Sequence, residues 1–209
     1  MKRLLLLMLI ALSAAVVVGC ETTPKRDPGA GYETVPDEPN RNTDLARQLQ
    51  QQALLHIDAG ELSAAEDLLK KSLKADVTFG PAHNNLGTVY FRQGKLYLAA
   101  WEFEYAAKLM PYVAEPRYNL GMVYENVGKL GDAIDAYKQA ADVEPDNPVL
   151  LGNYARAMVK NGDHSEQLHE TLTKIVMTDS RPDWVEWARS ELARQGVPIA
   201  PPRSTSDKQ

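Results

Sequence analysis

The stretch GPAHNNLGTVYFRQGKLYLAAWEFEYAAKLMP (residues 80–111), followed by YVAEPRYNLGMVYENVGKLGDAIDAYKQAADVEP (residues 112–145), decides the fold. The second segment repeats the first. Leu86-Gly87 returns as Leu120-Gly121, Tyr90 as Tyr124, Gly94 as Gly128, Leu96 as Leu130 and Ala99 as Ala133. Phe103 returns as Tyr137, Ala106 as Ala140 and Pro111 as Pro145, so every pair is 34 residues apart. A fixed period of this length belongs to stacked helical hairpins.

One unit explains its own residue types. Leu86, Gly87 and Tyr90 share a helix face, because positions three and four apart are neighbours on a helix. Gly87 lets another helix approach, and Ala99 is the small residue expected against it. Gly94 ends the first helix in a conformation that costs little without a Cβ. Leu96, Ala99, Phe103 and Ala106 bring the second helix to the same seam, and Pro111 stops it. One hairpin cannot bury its apolar face alone, so the units stack.

These residues resemble the tetratricopeptide repeat, with His83 and Arg117 at its first aromatic position. The resemblance implies an all-α, TPR-type α-solenoid of three to four helical hairpins plus a C-terminal capping helix.

A first unit fits the same frame, with Ala53 at the small position and Gly60 at the turn. Leu62, Ala65 and Leu69 lie on the seam. His56 stands at the tyrosine position as a packed core residue, and Val77 replaces the closing proline. A fourth unit starts at Asp146-Asn147-Pro148 and turns at Gly162. Its second helix is displaced by one: Gln167 and Thr171 fall on the seam while Leu168, Leu172 and Ile175 form the stripe. Ser180 and Asp183 then mark a helix start, Gly196 a stop, and Trp184, Val185, Ala188 and Leu192 an apolar stripe that caps the last repeat.

The ends differ in kind. Met1-Lys2-Arg3 and the apolar run Leu4–Val18 read as a secretion leader, too short to span a bilayer comfortably. Val17-Val18-Gly19-Cys20 resembles the lipobox of bacterial lipoproteins, which implies cleavage after residue 19 and acylation of Cys20, the one cysteine. Glu21, where an inner-membrane signal would be Asp, favours the outer membrane by the same resemblance. Residues 20–41, with four prolines and two glycines between 21 and 41, form a flexible tether with a stretched reach of about 65 Å. The solenoid domain is 42–196, and 197–209 is a disordered tail.

Loss of Lys2 and Arg3 with the leader takes the formal charge from −5 to −7, an acidic surface without a basic stripe, which argues against nucleic-acid binding. His56, His83, His164 and His169 match no catalytic or metal pattern, and no phosphate or dinucleotide fingerprint occurs. Acidic pairs such as Glu66-Asp67 are read as solvated. The reading is therefore of a protein that is not an enzyme and has no cofactor or metal.

A second series at the same interval is Gln51, Asn85, Asn119 and Asn153. In tetratricopeptide arrays the residues just off the seam line the concave surface, and a carboxamide there can pair with a peptide backbone. Thr88, Tyr118, Met122 and Arg156 belong to the same candidate groove, with Arg92, Asn126 and Lys160 nearby. The expected function is a lipid-anchored scaffold holding a peptide or protein of the bacterial envelope, facing the periplasm. The resemblance implies help in assembling a pilus or secretin. The alternatives are an adaptor docking peptidoglycan hydrolases or proteases, and a self-assembling lipoprotein using Trp184 and Trp187 as a dimer surface. Homo-oligomerisation stays open.

Overall fold

The computed structural model describes residues 41–197; the leader, Cys20, the rest of the tether and residues 198–209 lie outside the described residues. Among the described residues there are nine α-helices and no strand. First helices α1 (Thr43–Asp58), α3 (Gly80–Arg92), α5 (Glu115–Asn126) and α7 (Pro148–Lys160) alternate with second helices. The second helices are α2 (Leu62–Ala75), α4 (Leu96–Leu109), α6 (Leu130–Val143) and α8 (Glu166–Thr178), and α9 (Pro182–Arg194) closes the array.

Each first helix ends in the same way. Gly60, Gly94, Gly128 and Gly162 have φ of 77°, 75°, 77° and 73°, the left-handed region where a Cβ is strained. The residue after each glycine donates its backbone N–H to a carbonyl five back, at His56, Tyr90, Tyr124 and Met158. Gly196 repeats the device, with φ of 73° and Val197 bonded to Leu192. It also lies 34 residues beyond Gly162, so α9 is the first helix of a fifth unit in register rather than an unrelated cap.

The small position is used differently from expectation. A Cβ on Gly87 would lie 2.7 Å from the Phe103 ring, and one on Gly121 would lie 2.6 Å from the Tyr137 ring. The glycine therefore seats the aromatic ring of the second helix, and Ala99 is not its partner. In the fourth unit Gly152 does the same for Trp184 of α9, at 2.7 Å.

The core has two parts meeting at α5. One joins Leu69, Leu86, Phe103 and Val123; the other joins Tyr137, Met158, Leu168, Leu172, Ile175 and Leu192. The displaced stripe of α8 is fully buried, as expected, while Thr171 satisfies its hydroxyl on the Gln167 carbonyl at 2.7 Å. Both parts of the core and both end units lie within residues 41–197.

Where prolines close the middle units, carboxylates close the outer ones. Buried Asp76 accepts from the Thr43 and Thr78 hydroxyls and the Thr78 backbone N–H. Asp179 accepts from the Arg181 backbone and guanidinium, and that guanidinium also donates to the Pro148 carbonyl at 2.8 Å. Arg181 is thus the residue before α9, and Ser180 does not cap it.

Two further expectations are corrected, and a third residue gains a role. His56 is half-exposed and paired with Glu61, not packed in the core. Glu66 is largely enclosed by Lys70, Gln93 and Lys95, at 2.6, 3.0 and 3.2 Å, rather than solvated. His83 fills the missing aromatic position buried between Glu102, at 2.6 Å, and the Val77 carbonyl, at 2.9 Å. Because a carbonyl only accepts, the Val77 contact fixes a proton on Nε2.

Candidate functional site

The first helices α1, α3, α5 and α7 form one wall, and their side chains stitch it together. Arg92 donates to the Ile57 carbonyl at 3.0 Å, Asn119 to Asn84 at 3.1 Å, and Lys160 to Glu125. Asn153 makes the corresponding, longer contact with the Tyr118 hydroxyl at 3.4 Å. Each contact joins residues 35 apart, one repeat plus one residue.

Two hollows open on this wall. The smaller, about 220 Å³, is lined by Thr88, Phe91, Arg92, Phe103, Asn119 and Met122. The larger, about 370 Å³, is lined by Phe91, Tyr118, Met122, Glu125, Asn126, Tyr137, Asn153, Arg156 and Lys160. Phe91 and Met122 belong to both, so the hollows form one groove across α3, α5 and α7.

Thr88, Tyr118, Asn119, Met122, Asn153 and Arg156 therefore come together as sequence spacing suggests. Gln51, exposed on α1, and Asn85, half-buried on α3, line neither hollow. The carboxamides are also less free than a peptide ladder needs. Asn153 is 8% exposed, donates to the Val149 carbonyl at 2.8 Å and accepts from Arg156 at 2.6 Å. Asn119 is tied to Asn84, which in turn donates to Glu115 at 2.9 Å.

Phe91, Phe103, Glu125 and Tyr137 were missed as groove residues. Ile57, Phe91, Glu125 and Val159 are 34 apart and sit one residue before the Arg92, Asn126, Lys160 series, so the signal was present in the period. Glu125 is the electrostatic centre of the groove. It accepts from Lys160 and from the Tyr137 hydroxyl at 2.9 Å, and Arg156 lies 3.7 Å away. Burial alone would push its carboxyl up. The Lys160 and Tyr137 hydrogen bonds and the nearby cations outweigh burial and hold it below the usual carboxylate value. Burial, with Glu125 as hydrogen-bond acceptor, drives the Tyr137 hydroxyl far above the ordinary phenol value, so it stays a donor.

Arg156 and Lys160 are thus committed to Glu125, and Arg92 to a carbonyl, rather than forming a free basic patch. Arg156 also rests 5.9 Å above the Trp184 ring, which Arg181 covers from 4.8 Å. Trp184 is consequently built into the end of the array and is not a free dimer surface. The groove offers aromatic and thioether surface with a polar rim, a surface for holding a chain segment.

Two tetratricopeptide repeat family models match the chain, one over residues 51–113 and one over 114–147. No curated protein matches it. Among solved structures it is similar to the first TPR of Spaghetti (RPAP3) bound to the HSP90 peptide SRMEEVD. That match has 19% identity over 60% of this chain and 100% of the other, with a TM-score of 0.57. It is similar to MamA 41-end from Desulfovibrio magneticus RS-1, at 23% identity over 66% and 77%, TM-score 0.58. A tetratricopeptide repeat protein from Parabacteroides merdae matches at 18% over 73% and 60%, TM-score 0.64. These likenesses establish a shared all-α fold.

Proposed function

We propose that this tetratricopeptide-repeat solenoid is a non-enzymatic scaffold that holds a peptide or protein segment in the groove across α3, α5 and α7. The observation that carries the reading is the continuous hollow around Phe91, Tyr118 and Met122, which the solenoid leaves unfilled although it buries its seam. Apolar side chains with a largely paired polar rim suit recognition of a guest side chain flanked by backbone. The chain shares its fold with the Spaghetti domain, which is bound to a peptide.

The setting is part of the same proposal. Cys20 at the end of the apolar leader is read as the lipid attachment point, on the periplasmic face of a bacterial membrane, the outer one by the Glu21 criterion. A lipid anchor, a proline-rich tether and a scaffold suit assembly of an envelope machine such as a pilus or secretin.

Capture from envelope extract tests both halves separately. Met122→Glu should abolish recovery of the partner that the unchanged protein retains, while Cys20→Ser should release the protein from membranes and leave capture intact. Equal capture by Met122→Glu would overturn the groove reading.

A further inference from the structure

The outer face of α4 carries rings that the solenoid does not use. Tyr97 is 85% exposed and Trp101 is 56% exposed, with Leu98 beside them. Trp101 stacks flat on Tyr105, with centroids 5.9 Å apart and planes within 5°, so one face of the indole is supported and the other open. Residues 96–101 are apolar all round the helix, a pattern that is normally buried, yet they are covered on their inner side only.

The strip is confined to the second unit. At the register positions of Trp101 on α2 and α6 stand Asp67 and Asp135, and Asp132 is the counterpart of Leu98. All three acids are exposed. Among the described residues Asp67 and Asp135 enter no ion pair, whereas Asp132 has Lys129 at 3.8 Å. Lys95, the residue before α4, is taken by Glu66 and lies 5.3 Å above the Tyr90 ring. Lys70, Lys71, Lys108 and Lys138 lie further along, toward the Tyr105 end, with Lys70 paired to Glu66 and Lys138 to Asp142. The Tyr97–Trp101 half is therefore aromatic with an acidic frame.

We infer that this outer face is a second docking surface, for a Lys- or Arg-bearing aliphatic segment of another protein, its cation on the open face of Trp101 between Asp67 and Asp135. A desolvated cation over an indole gains from the ring quadrupole, and the flanking carboxylates supply charge complementarity. A second copy of this chain is disfavoured: a two-fold axis along or across the line from Asp67 to Asp135 brings these acids toward those of the other copy, and like charges repel. An anionic surface is disfavoured for the same reason. This surface is independent of the inner groove.

The fluorotryptophan-labelled protein gives one signal for each of its three tryptophans, and the probe is a blocked Leu-Arg-Leu-Arg-Leu peptide with its Leu-Glu-Leu-Glu-Leu counterpart as control. The arginine peptide should shift the Trp101 signal saturably, and the glutamate peptide should not. Asp67→Asn with Asp135→Asn should weaken binding at least fivefold with the fold unchanged, Tyr97→Ser should weaken it by a similar factor, and Met122→Glu should leave it unaltered. Equal response to both peptides, or binding indifferent to the aspartates, overturns the proposal. So does a concentration-dependent Trp101 shift without peptide, which would assign the face to a second copy, or a shift on phosphatidylcholine vesicles, which would assign it to a membrane.

Discussion

The six-membered edge of Trp184 occupies the space that a Cβ on Gly152 would need, 2.7 Å from where that atom would be built. Gly87 and Gly121 seat rings from the second helix of their own unit, so Gly152 transfers the same fitting to the helix that ends the array. The end of the solenoid is therefore built by the rule that builds its middle, with the acceptor glycine moved along α7.

Gly152→Ala should force Trp184 from its seat and cost about 1–3 kcal/mol, as overpacking does. Gly94→Ala meets nothing within 4 Å, so its cost should be the left-handed backbone alone, about 1–2 kcal/mol. Denaturant melts measure both. Only Gly152→Ala should also change tryptophan fluorescence in the folded state.

The His83–Glu102 pair is nearly dry, which sets the sign of its mutations. His83→Phe leaves a carboxylate buried without its partner and should cost about 3–5 kcal/mol. His83→Phe with Glu102→Leu removes both partners of the pair and should restore most of that loss. A double-mutant cycle on equilibrium melts tests this, and strict additivity would contradict it.

Acid should weaken the stitching between units. Glu66 is held at about 2 instead of 4.5 by the Lys70 hydrogen bond first, against burial, with Gln93 and Lys95 assisting. A depressed carboxyl stabilises the fold above its unfolded value and loses that contribution as pH falls through its folded one. The share due to Glu66 should be complete above pH 4.5 and disappear toward about pH 2. Asp179, lowered chiefly by Arg181, and Asp76, lowered by its Thr hydrogen bonds and Arg41 against burial, act in the same direction. Melting temperature should fall with acid below pH 4.5, and Glu66→Gln should flatten that slope.

Lys160→Ala removes one of the two cations facing Glu125. The carboxylate keeps the Tyr137 hydroxyl and Arg156, so stability should drop by only about 1 kcal/mol. Capture of a partner should change more than the melt does, because the side chain lines the larger hollow.

The 34-residue interval made the hairpins, the turn glycines and nine of the groove residues legible, because a solenoid writes one packing solution repeatedly. Gly196 was equally legible as the fifth glycine, but a helix after a degenerate unit reads as a separate cap. Depth was not legible. Spacing places Gly87 on a face without saying whether Ala99 or Phe103 fills the gap, and it cannot tell a solvated Glu66 from one enclosed by three donors. The carboxamide series shows the same limit: the period placed Asn119 and Asn153 on the inner wall, while their hydrogen bonds to Asn84 and Val149 depend on the neighbouring turn.

The most direct measurement is site-specific photocrosslinking in the envelope, with the reactive group at Met122 in the groove and, separately, at Asp142 on the outer side of α6. The proposed function predicts one crosslinked partner from Met122, lost when Tyr118→Ala and Phe91→Ala are added, and none from Asp142. Crosslinks from Asp142 alone, or the same products from both positions, would contradict it.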